Sequence, residues 1–140
     1  MTAPASPQIA GGRRVPIAYS IDHENGCVIE NWTGDITKHV LAVHFRRFFT
    51  DPEVLALGRT LVDLRHCQFV LTGAELTELV SRIVMPALSG RRWRTAIVLG
   101  DTNHFEMWRQ YHVFAESYSN DSVFSTPEAA LAWLRSQRPT

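Results

Sequence analysis

Apolar and polar positions alternate along Ile17-Ala18-Tyr19-Ser20-Ile21, the period of a half-buried strand. Asp22-His23-Glu24-Asn25-Gly26 follows with turn residues, and Cys27-Val28-Ile29-Glu30-Asn31-Trp32 resumes the strand pattern. The chain is therefore expected to open on a hairpin turned at Asn25-Gly26, with Gly34-Asp35 breaking its second strand. From about Thr37 to Phe49 the period becomes helical. Val40, Leu41, Phe45, Phe48 and Phe49 gather on one broad face, and Lys38, Arg46 and Arg47 on the other. Asp51-Pro52 stops this helix, because the residue before a proline avoids the helical region, and a short turn continues through Glu53-Val54-Leu55-Ala56.

Thr60-Leu61-Val62-Asp63-Leu64 is dense enough in apolar residues for a strand buried on both faces. Thr72-Gly73-Ala74-Glu75 has the spacing of a capping box and opens a second helix, with Leu76, Leu79, Val80, Ile83 and Ala87 on one face and Pro86 near its end. A fourth strand, Thr95-Ala96-Ile97-Val98-Leu99, is closed by Gly100. A third helix is expected from about Asn103 to Ser117, with Asn103 and Glu106 spaced as a second capping box and a wide apolar face of Met107, Trp108, Tyr111, Phe114 and Ala115. Ser122-Val123-Phe124 reads as a last short strand. Ser125-Thr126-Pro127-Glu128 then starts a final helix carrying Ala129, Ala130, Leu131, Trp133 and Leu134.

After the opening hairpin, strands and helices alternate, which is the mark of crossovers onto a mostly parallel sheet. The expected fold class is α/β: one domain over residues 15–140 with a mixed five-stranded sheet and about four helices. Residues 1–14, rich in Ala, Pro, Gly and Ser, read as a disordered tail.

Composition narrows the function classes. The 140 residues suit one domain, and 45% apolar with 20% charged residues is a globular balance. Fourteen basic against 14 acidic residues give no net charge, which speaks against general nucleic-acid binding and against a polybasic membrane anchor. No apolar run reaches about 18 residues, so no membrane span is expected, and no signal peptide is read at the start. Cys27 and Cys67 stand alone in different segments, the pattern of buried reduced thiols in a cytoplasmic protein rather than of a zinc site or disulfide framework.

Candidate chemistry is sparse. His39 and His44 stand about 140° apart around a helix, and His104 and His112 about 12 Å apart along one, so neither pair reads as a metal site. His44 falls on an apolar helix face, as a hydrogen-bonded core histidine does. No nucleophile elbow, Walker motif or dinucleotide fingerprint occurs, so neither a cofactor nor a catalytic residue is assigned. The strand ends bring Asp63, Arg65, Asp101, Asn103 and His104 toward one edge, where ligands or partners of parallel sheets bind. Phe105, Trp108, Tyr111 and Phe114 span more arc than one core contact needs and are candidates to line an apolar cavity or a homodimer seam. Arg91, Arg92 and Arg94 around Trp93 form the densest basic patch, read as a solvated strand entry.

The order of elements, with Trp32-Thr33-Gly34-Asp35-Ile36-Thr37, Leu61-Val62-Asp63-Leu64-Arg65, Val123-Phe124 and Glu128-Ala129-Ala130-Leu131-Ala132-Trp133-Leu134, resembles the SpoIIAA-like, or STAS-like, family from about Tyr19 to Leu134. The resemblance implies a sheet of about five strands covered by helices and a non-enzymatic regulatory role through a protein partner. In the antagonist branch of that family a serine in an Asp-Ser-Ser-Gly motif at a helix start is phosphorylated. Here Leu71 stands at the Asp position and Thr72 at the serine, with Gly73 and Ala74 after it, so the usual motif is absent and Thr72 is the one candidate regulatory position. Two alternatives stay open: a carrier of an apolar or lipid-like small molecule, and an uncharacterised enzyme using the Asp63 and Asp101 edge.

Overall fold

The computed structural model describes residues 9–10, 13–116 and 119–136. The expected disordered tail falls partly on residues 1–8, 11 and 12, and the expected helix end at Ser117 falls on that residue; these lie outside the described residues. Within the tail, β1 (Ile9–Ala10) pairs antiparallel with β2 (Arg13–Arg14).

The main sheet has five strands in the order β3-β4-β5-β6-β7. They are β3 (Ile17–Asp22), β4 (Cys27–Thr37), β5 (Arg59–Val70), β6 (Trp93–Val98) and β7 (Ser119–Phe124). The β3–β4 hairpin is antiparallel and every later pairing is parallel, so the sheet is mixed as expected.

Three strands are longer than their hydropathy suggests: β7 begins at Ser119 rather than Ser122, and β4 and β5 gain more. Gly34 does not break β4, which continues to Thr37 beside the second half of β5. Register shifts where Asn31 faces Asp63 but Thr33 faces His66, so β5 carries one extra residue there. Such a bulge reverses the in–out alternation. Val62 and Leu64 precede it on the face of the larger core; Cys67 and Phe69 follow it onto the same face.

The helical segments are α1 (Lys38–Phe48), α2 (Pro52–Leu57), α3 (Gly73–Leu79), α4 (Met85–Leu88), α5 (Thr102–Ala115) and α6 (Pro127–Ser136). The single second helix expected from the sequence is interrupted by a π-helical turn, Val80–Val84, just before Pro86. Proline lacks an N–H and its ring crowds the carbonyl four residues back; a wider turn relieves both conflicts. α5 also begins earlier than expected. Asp101, not Asn103, is its N-cap, accepting a 2.9 Å hydrogen bond from the His104 N–H.

The sheet separates two cores. Leu41, Phe45 and Phe48 of α1, Leu76 and Leu79 of α3, and Met107 of α5 pack with Val28, Trp32, Val62, Leu64, Trp93 and Ile97. On the opposite face Ala130 and Leu134 of α6 pack on Cys27, Leu61, Ala96 and Val98.

Candidate functional site

Strand alternation puts Val28, Glu30 and Trp32 on one face of β4, and Glu30 therefore points into the larger core with its side chain 4% exposed. A buried carboxylate needs donors, and three are present. His44 Nε2 of α1 donates to Oε1 at 2.7 Å, Trp32 Nε1 donates to Oε1 at 3.1 Å, and the Thr60 hydroxyl donates to Oε2 at 2.9 Å. His44 is itself enclosed by the rings of Tyr19, Trp32, Phe45 and Phe48.

A polar row continues across the sheet, because Thr60 is the register partner of Thr95 and Thr95 of Asp121. The Asp121 side chain is fully buried, and its Oδ2 lies 3.7 Å from His112 Nδ1. Burial pushes the Asp121 carboxyl above the usual range, with Ser119, His112 and Thr95 pulling it partly back. His112 stacks on Trp108, ring centroids 4.9 Å apart.

Above this row lies a partly enclosed cavity of about 90 Å³. Glu30, His44, Thr60 and Thr95 form its polar side; Leu41 and Phe45 of α1, Leu76 of α3 and Met107, Trp108 and Tyr111 of α5 form its apolar walls. The buried indole N–H of Trp108 has no hydrogen-bond partner. Of the four aromatic residues expected to line a cavity, Trp108 and Tyr111 do so. Phe105 is exposed at 41% and packs against Trp108, while Phe114 is half-buried against the larger core.

The residues expected at the strand ends have separate duties. Arg65 clamps Asp63, with Nε donating to Oδ1 at 3.0 Å and Nη2 to Oδ2 at 2.8 Å, while the Arg65 backbone N–H also donates to Oδ1. Burial raises the Asp63 carboxyl, but the hydrogen bonds and charge of Arg65 outweigh it and leave the group below its ordinary value. Asp101 caps α5 and Asn103 is exposed on its first turn. His104 is buried between two backbone groups: Gly100 N–H donates to Nδ1 at 2.9 Å, so the proton sits on Nε2, 2.8 Å from the Cys67 carbonyl. Gly100 leaves little room beside it, since a Cβ there would approach the Arg65 Cα to 3.1 Å and the His104 ring to 3.2 Å.

Thr72 sits in a complete capping box. Its hydroxyl accepts from Glu75 N–H at 3.1 Å, and its own N–H donates to Glu75 Oε1 at 2.8 Å. Both cysteines are buried, and burial pushes the Cys67 thiol up to about 12.

Sequence reasoning placed His44 in the core but missed its partner. The signal was available: Glu30 occupies an inward position between Val28 and Trp32. Asp121 had no such signal, because Ser119-Asn120-Asp121 shows no apolar alternation.

The unphosphorylated form of the anti-sigma factor antagonist SpoIIAA superimposes on 87% of this chain, over all of its own length, with a TM-score of 0.55 at 14% identity. This chain has a SpoIIAA-like, STAS-type fold. The phosphorylated form of the Bacillus cell fate determinant SpoIIAA aligns over 84% of this chain and all of its own, with a TM-score of 0.44 at 13% identity. No protein-family model matches the sequence. No curated protein matches it either. Among the described residues, no helix of this SpoIIAA-like domain is long and apolar enough to cross a membrane.

Proposed function

We propose that this domain is a non-enzymatic, cytoplasmic regulatory module that acts by binding a protein partner. The observation that carries the reading is the likeness of its fold to an anti-sigma factor antagonist, a protein whose work is done on another protein. The sheet edge supports it. Asp63 is clamped by Arg65, Asp101 caps a helix, and His104 bridges two backbone groups, so these groups are engaged in holding the fold. Thr72 acts as a helix cap in this reading, and its neighbour Glu75 would repel a phosphate placed on it.

Affinity capture from the native host, followed by reconstitution with the captured protein after purification, tests the reading. A stoichiometric complex between the two purified proteins supports it. Failure of every captured protein to bind directly contradicts it.

A second reading, a small-molecule carrier, draws on the cavity. An apolar cavity of roughly 150 Å³ holds one benzene. About 90 Å³ therefore suits a compact group and not a long acyl chain, which narrows a lipid-like ligand to something far smaller.

A further inference from the structure

A second hollow, of about 170 Å³, runs along α1 where the chain enters β3. Its walls are apolar: Val15 and Pro16 on the incoming segment, Val40 and Val43 on α1. An apolar cavity of roughly 150 Å³ holds one benzene, so this space takes one ring. The walls are held in place by the fold itself. The Thr33 N–H donates to the Pro16 carbonyl at 2.7 Å and ties the incoming segment to β4. His44 also lines the hollow, and its bond to Glu30 fixes that ring. Val43 is 42% exposed, so the hollow can be entered from solvent.

Charge narrows what enters. α1 carries Lys38, Arg46 and Arg47 and no Asp or Glu, and no Asp or Glu lines the hollow. Lys38 pairs with Glu78, whereas Arg47 lines the hollow and forms no ion pair among the described residues. Asp51 feels the Arg47 charge but takes its hydrogen bonds from the Tyr19 hydroxyl and the Glu53 N–H. His39 stands two turns before Arg47, about 12 Å along the helix axis, so the rim is basic or neutral throughout. A guanidinium beside a ring-sized apolar space matches the planar fork of a carboxylate carried on an apolar body.

We infer that the hollow between α1 and residues 15–17 binds a small carboxylic acid in its anionic form, with an apolar body of about one ring against Val40 and Val43 and its carboxylate on Arg47. The inference goes beyond the partner-binding reading and does not depend on it.

Benzoate is the probe, with toluene as the uncharged control and benzylammonium as the cationic one. Valine methyl resonances of the full-length chain are followed by carbon–proton NMR. Benzoate is expected to shift Val15, Val40 and Val43 saturably. Val113 on α5, 70% exposed, should not move and reports non-specific contact. Toluene and benzylammonium are expected to bind about three- to tenfold more weakly, and Arg47→Gln should weaken benzoate to the same extent, a loss between that of an exposed ion pair and that of a charge-assisted hydrogen bond. Val43→Asp, a second change at an exposed position, sets a carboxylate in the hollow and should abolish benzoate binding, with unchanged shifts elsewhere showing that the variant folds. Benzoate shifts that do not saturate, or that are as large at Val113, overturn the site; a hollow already filled by another part of the chain gives that same result. Toluene or benzylammonium binding as tightly as benzoate, or Arg47→Gln binding benzoate unchanged, overturns the assignment of an anion.

Discussion

Glu30 on β4 accepts a 2.7 Å hydrogen bond from His44 Nε2 on α1, with both side chains almost completely buried beneath the helical layer. The pair ties the hairpin to the first helix. Trp32 and Thr60 complete the carboxylate's shell, so its two oxygens receive three donors. Removing one partner leaves the other buried and incompletely satisfied, the costly way to disturb such a pair.

His44→Ala is therefore expected to destabilise the fold by about 3–5 kcal/mol. Urea unfolding of the two proteins at neutral pH measures it. A loss no larger than that of an exposed substitution such as His39→Ala would show that Glu30 is solvated by other means.

His104→Ala should cost about 2–5 kcal/mol, since it strips the partners from the Gly100 N–H and the Cys67 carbonyl at once, each worth about 1–3 kcal/mol when left unsatisfied. Thermal unfolding reads the loss, and native-state hydrogen exchange at the Gly100 amide should accelerate with it.

Asp121 sets a pH dependence opposite to that of a salt-bridged carboxylate. Burial raises its folded pKa above the unfolded value near 3.8, so the folded state binds its proton more tightly. Its contribution to stability is fully present below the unfolded pKa and is lost as pH rises through the raised folded value. Asp121→Asn removes that loss, so its stability relative to the parent should be higher at pH 7 than at pH 4. Asp63, lowered by Arg65, should behave in the reverse sense: its contribution is present above the unfolded pKa and lost as pH falls through the folded one. Urea midpoints across pH for Asp121→Asn and Asp63→Asn separate the two signs.

Cys67 should resist thiol reagents in the native state at pH 8, because burial both shields it and pushes its thiol up to about 12. Labelling with a chromogenic disulfide is expected to track unfolding as urea is added. Rapid labelling without denaturant would place Cys67 nearer the surface than its 8% exposure.

Thr72→Ala should lower stability by about 1 kcal/mol through loss of the cap, while Thr72→Ser should be nearly neutral. Equal losses for both would trace the effect to the γ-methyl rather than to the hydroxyl that caps α3.

Much of the architecture was legible because hydrophobic period and helix caps agree locally. The Asn25-Gly26 hairpin, the Thr72 capping box and the start of α6 at Pro127 are all encoded within a few residues. The rest depends on long-range structure. β5 looked finished at Leu64 because the bulge reverses its alternation, and the pattern resumes at Cys67 and Phe69 only once β4 lies beside it. The π turn before Pro86 leaves no mark in the apolar periodicity. At the site, Trp108 and Tyr111 were found from the width of the α5 face. The polar row was not, because Glu30, Thr60, Thr95 and Asp121 come from four strands and meet only through sheet register.

The most direct test of the central claim is a calorimetric titration of the purified domain into the purified protein captured with it from the native host. A saturable one-to-one complex, retained in Trp108→Phe, whose altered side chain lines the cavity, is the predicted result. No measurable binding by any captured protein would contradict the account of a module that acts through a protein partner.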